Sequence, residues 1–82
     1  MGYGDIKTRK LLNFLRWLQN NRGVEVTKGG RHNTKVHCIH NGQKYPLPTS
    51  HKVVNKHIIK DFGEWLARNG LCTIEDYDVR IK

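Results

Sequence analysis

Acidic side chains are scarce in this 82-residue chain: 7 Asp and Glu stand against 15 Lys and Arg, a formal net charge of +8. That imbalance favours an anionic partner: nucleic acid first, an acidic protein second and a membrane surface third. Cysteine is nearly absent. Cys38 and Cys72 stand far apart with no Cys-x-x-Cys pair, which excludes a zinc ribbon and a redox dithiol. Long apolar runs are missing too: none approaches the ~18 residues needed to span a bilayer. The opening Met1-Gly2-Tyr3-Gly4-Asp5 has no apolar secretory core. A soluble, cytoplasmic protein with reduced thiols and no membrane partner is expected. There are no repeats, linkers or low-complexity tracts, and the length suits one domain over residues 1–82, too small for a large cofactor-binding fold.

What is present is periodic. Leu11, Phe14, Leu15 and Leu18 recur at helical spacing, so a helix runs to about Arg22, with Asp5 as its N-cap and Gly23 just past its end. Trp17 falls at the edge of that apolar stripe. Val24-Glu25-Val26-Thr27 alternates as a first strand, and a second follows from about Asn33 to His40. Asn41-Gly42 predicts a two-residue type I′ turn into a third strand, Gln43 to about Pro48. That turn would set Cys38 opposite Tyr45 and Val36 opposite Leu47 on an apolar face, with Lys35, His37, Ile39, Lys44 and Pro46 on the wet one. Pro46 marks a sheet edge. After a turn over 49–55, Asn55 caps a second helix from about Lys56 to Asn69, buried through Ile58, Ile59, Phe62, Trp65 and Leu66. Gly63 inside it either weakens the helix or permits close packing. Thr73 begins one more capped turn, and residues 78–82 are open between strand and fraying end.

The expected class is therefore α+β, in the order α-β-β-β-α with a short C-terminal addition. Two helices would cover one face of a three-stranded antiparallel sheet, which is the order of the double-stranded-RNA-binding domain.

The segment Lys28 to Cys38 holds the chemistry. Gly29 and Gly30 allow a tight reversal, His32 follows, and Lys28, Arg31 and Lys35 surround it. Residues of this kind can hold phosphate beside one group that titrates near neutrality, or can simply form a solvated turn. Lys56 and Lys60, one turn apart on the second helix, are either a phosphate-binding face or an ordinary wet face. His37, Cys38 and His40 invite a metal, but a strand directs His37 away from the other two, and no metal site is expected.

Taken together, Val24-Glu25-Val26, Gly30-Arg31-His32, the Asn41-Gly42 hairpin, Tyr45-Pro46-Leu47-Pro48, and Ile58-Ile59-Lys60 running to Asn69-Gly70-Leu71 resemble HicA-type toxins. These are small mRNA interferases of toxin–antitoxin pairs with a double-stranded-RNA-binding-domain-like fold. The likeness spans about residues 7 to 77. It implies a metal-independent endoribonuclease with no cofactor, acting on mRNA, inhibiting translation and silenced by a HicB-like antitoxin. The family's histidine follows a glycine, usually with a serine between; here Gly30-Arg31-His32 puts an arginine there. The resemblance makes His32 catalytic. By charge and placement, Lys28, Gly29, Gly30, Arg31 and Lys35 are the expected RNA-binding residues around it, together with His51 and Lys52 of the Pro48-Thr49-Ser50-His51-Lys52 segment, which is similar to the family's, and with Lys56 and Lys60. The rival reading is a double-stranded-RNA-binding module without catalysis, or a small adaptor whose basic surface docks an acidic protein.

Overall fold

A computed structural model describes residues 4–29 and 33–81. A two-residue strand, β1 (Ile6–Lys7), leads into helix α1 (Thr8–Asn21). Strands β2 (Val24–Gly29), β3 (Asn33–Cys38) and β4 (Lys44–Leu47) form an antiparallel sheet in that order. A second short strand, β5 (Val53–Val54), pairs antiparallel with β1, and helices α2 (Lys56–Arg68) and α3 (Ile74–Ile81) follow. The protein is α+β.

The apolar stripes meet in one core. Leu11, Phe14, Leu15 and Leu18 of α1 and Ile59, Phe62, Trp65 and Leu66 of α2 bury against Val24, Val36, Cys38 and Leu47 of the sheet. The other sheet face is wet, as the alternation requires: Lys35, Ile39, Lys44 and Pro46 are exposed and His37 half-buried.

The hairpin between β3 and β4 differs from expectation by two residues. Val36 faces Tyr45 and Thr34 faces Leu47, because the loop has four residues, closed by the Cys38 N–H to Gln43 O (2.8 Å) and the Gly42 N–H to Cys38 O (2.9 Å). A type I′ turn needs positive φ at both central residues. Only Gly42 supplies it (φ 75°), while Asn41 uses its side-chain Oδ1 to accept the Gln43 N–H at 2.9 Å. A slip of two preserves side-chain parity, so the core face survives the change.

The helix starts also depart from local rules. Asp5 does not cap α1. Pairing of Ile6 with Val54 and Lys7 with Val53 draws this segment out, and Asp5 Oδ1 accepts the Lys56 N–H at the start of α2 (2.9 Å). Asn55 caps α2 as expected, accepting the His57 N–H at 2.8 Å. Gly23 ends α1 at φ 65°, as a C′ glycine does.

Helix α3 resolves the ambiguous tail. Thr73 Oγ1 accepts the Asp76 N–H (3.1 Å), and the helix buries Tyr77 and Ile81 completely between the other two helices' core residues. Trp17 sits at the α1–α3 seam, with the Arg80 guanidinium 3.8 Å from its ring centre and Arg22 at 5.1 Å. Asp76 pairs with both arginines, at 3.3 Å and 3.5 Å. These ion pairs are exposed and stabilise little by themselves.

Candidate nucleic-acid interface

The antiparallel β1–β5 ribbon links the lead-ins of the two helices: α1 leaves it at the Lys7–Val53 end and α2 at the Ile6–Val54 end. The loop before β5 is fastened to α1: the Thr8 N–H donates to Lys52 O (2.9 Å), and Thr8 Oγ1 donates to His51 O. The same loop is fastened to the sheet, where Thr34 Oγ1 and Thr49 Oγ1 share a hydrogen bond of 2.7 Å. Thr34 is buried and lies next to the start of β3. One end of the molecule thus gathers the 49–52 loop, the start of α1 and the paired strand ends at Gly29 and Asn33, with the start of α2 across the short ribbon.

This end is basic and poor in acid. Lys7, Arg9, Lys10, His51, Lys52 and Lys56 are all exposed around it. Neither α1 nor α2 has an acidic residue in its first turn, where the helix dipole would favour one. Positive side chains are therefore added to the positive ends of two dipoles, a combination that attracts an anion rather than satisfying itself internally. Asp5 is the local carboxylate, and the Lys56 N–H already occupies one of its oxygens.

Of the residues singled out in the sequence, His51, Lys52 and Lys56 come together here, and Lys60 extends them one turn along α2. Gly30, Arg31 and His32 lie outside the described residues. Lys28 and Lys35 do not converge as expected. Lys28 pairs opposite Thr34 and shares its face, whereas Lys35 pairs opposite Thr27 on the wet face. Side chains on a strand alternate, so the two lysines point to opposite sides of the sheet. Gly29 ends β2, paired with Asn33.

The sequence reading passed over the start of α1. Lys7, Arg9, Lys10 and Asn13 line an open cleft of about 510 Å³ with Asp5 and Ile6. The signal was available as three basic residues within four positions at a helix start.

Elsewhere, Cys38 Sγ lies 3.3 Å from His40 Nδ1, while His37 faces the wet side between Glu25 and Lys44. Among the described residues no cluster of three or more His, Cys, Asp or Glu could hold a metal. Tyr45 donates to Asp61 Oδ2 at 2.6 Å, and burial followed by that carboxylate drives its hydroxyl well above the usual phenol range. Burial, and after it the Asp76 charge, raises the Cys72 thiol and suppresses its thiolate. Neither group is poised for proton transfer at neutral pH. No described helix is long and apolar enough to cross a membrane. Comparisons with protein-family models, curated proteins and solved structures find no match to this chain.

Proposed function

We propose that this protein is a HicA-like, metal-independent endoribonuclease of double-stranded-RNA-binding-domain-like fold, the cytoplasmic toxin of a toxin–antitoxin pair. The observation that carries it is the Thr34–Thr49 bond. It ties the base of the segment containing His32 to a loop bearing His51 and Lys52, beside two helix starts without acidic residues. The three-stranded antiparallel sheet with α1 and α2 on one face supports the fold; the β1–β5 ribbon and α3 are additions to it.

RNA carries its own nucleophile, the 2′-OH beside the scissile phosphate. The enzyme has only to take that proton, stabilise charge on the phosphorane and hold an in-line geometry. His32 exchanges the proton, a role that an imidazole side chain can fill. Lys28 and Arg31, with backbone N–H groups at Gly29 and Gly30, bear on the phosphorane oxygens. Lys52, Lys56, Lys60 and His51 hold flanking phosphates.

The protein should cut RNA in excess EDTA and leave 2′,3′-cyclic phosphate or 3′-phosphate ends, read by end-labelling. Intact RNA with full binding would establish instead the non-catalytic module that the same basic end would serve. Lys52→Glu with Lys56→Glu should weaken RNA binding at least tenfold at 0.1 M salt. The pair should also flatten the slope of log affinity against log salt by about 2 to 4, since each change removes one phosphate contact and adds a repulsion. An unchanged slope would move the interface elsewhere.

A further inference from the structure

The sheet has two free edges, and they are not equivalent. Cys38 bonds through its backbone toward β4, so by alternation Thr34 and Val36 also point there, and Asn33, Lys35 and His37 point to β2. The backbone groups of Val24, Val26 and Lys28 therefore face outward from β2, and those of Lys44 and Pro46 face outward from β4. On β4, Pro46 has no N–H to offer, which closes that edge to an added strand. On β2 the row is open except at its midpoint, where the Val26 N–H donates to Gln19 Oε1 at 3.1 Å. Among the described residues no other bond reaches this outward row. Gln19 is exposed, so its side chain stands where an incoming strand's carbonyl would stand and can swing away into solvent.

We propose that the β2 edge is a docking strip for an extended, acidic segment of a partner protein, which displaces Gln19 and extends the sheet by one strand. Charge selects this occupant. Two copies pairing through β2 would each carry +8 and repel, whereas an acidic strand is drawn to Lys28 at the strand's end and to the basic end beyond it. Backbone bonds to Val24, Val26 and Lys28 supply the pairing, and alternate side chains read the neighbours. The strip ends at Gly29, directly before the segment that holds His32. On the reading given above, which this inference extends to its partner, the strand is the inhibitory segment of the antitoxin.

The test uses the full chain, a ten-residue peptide alternating valine and glutamate, and amide resonances read by NMR. The peptide should shift and protect the amides of Val24, Val26 and Lys28 and leave that of Lys44 unmoved. Gln19→Ala removes the competing acceptor and should tighten binding about fivefold, the worth of one modest hydrogen bond. Gln19→Glu keeps an acceptor on the Val26 N–H and repels the peptide, so it should weaken binding by a similar factor. A surface residue of merely structural role would give no such opposed pair of effects. The inference falls if the two variants bind alike or if Lys44 responds instead. It also falls if the β2 amides shift with protein concentration alone, which would mean self-pairing, or if an RNA oligonucleotide competes for them. RNA cleavage, unaffected by either Gln19 variant, is scored separately. Cleavage without the opposed shifts overturns the docking strip alone, and the shifts without cleavage overturn the nuclease alone.

Discussion

Gly63→Ala should lower stability by about 2 kcal/mol, in spite of replacing a glycine inside a helix. In open surroundings the change would gain about 1 kcal/mol of helix propensity. Here a Cβ at position 63 would lie 2.6 Å from Tyr77 Cε2 and 2.7 Å from Cδ2, well inside contact distance. The ring has nowhere to go. It is fully buried, packed edge-on against Phe14 and Phe62 (centroids at 5.3 Å and 6.1 Å), and its hydroxyl donates to Ile59 O at 2.7 Å. Overpacking costs about 1–3 kcal/mol, and a clash with a fully buried ring belongs at the top of that range, which leaves a net loss of about 2 kcal/mol after the propensity gain. For a domain of this size the melting temperature should fall by on the order of 10 °C. Thermal unfolding followed by circular dichroism measures it. Combined with Tyr77→Leu, the loss should be smaller than the sum of the two single losses, because the second change removes the atoms the first collides with. An alanine variant as stable as the parent would mean that α2 and α3 are not locked through this ring.

That contact also shows where sequence reasoning stops. The stripe through Ile59, Phe62, Trp65 and Leu66 announces a helix and its buried face, since period alone decides both. It leaves Gly63 open between weakness and close approach, because the partner is an aromatic ring many residues downstream. Helix α3 was legible only at its Thr73 cap. The alternation of Asp78-Val79-Arg80-Ile81 mimics a strand, and the helical pair Tyr77 and Ile81 is too short a series to outweigh it. The β1–β5 ribbon left no trace, as two-residue strands have no periodicity. For that reason Asp5 reads locally as a cap for α1 although it serves α2. At the candidate site, His51, Lys52 and Lys56 are close in the chain, and all three are exposed. Chain proximity failed for Lys28 and Lys35, whose opposite facing depends on the β2–β3 register. The register of β3 and β4 slipped because Asn-Gly is the strongest local hairpin signal, and the Asn41 side chain provides a different turn.

His32→Ala should abolish RNA cleavage, with a loss of at least a hundredfold and residual binding close to that of the parent. One positioned proton-transfer group contributes about 10²–10⁴ in rate. Tyr45 and Cys72 offer no substitute, since both hold their protons above neutrality. On the proposed reading affinity is spread over several lysines and arginines, so removal of one imidazole should leave most of it in place. Cleavage of a labelled RNA and equilibrium binding of the same RNA separate the two quantities. In cells the parent alone should arrest growth through loss of translation, the alanine variant should not, and the antitoxin encoded beside it should relieve the arrest by covering His32 and excluding RNA. An antitoxin that binds without reducing cleavage would rule out occlusion as the means of silencing. Undiminished cleavage by the variant would remove His32 from the chemistry. Growth arrest by a cleavage-dead variant would instead assign the toxicity to sequestration of RNA on the basic end formed by the 49–52 loop and the two helix starts.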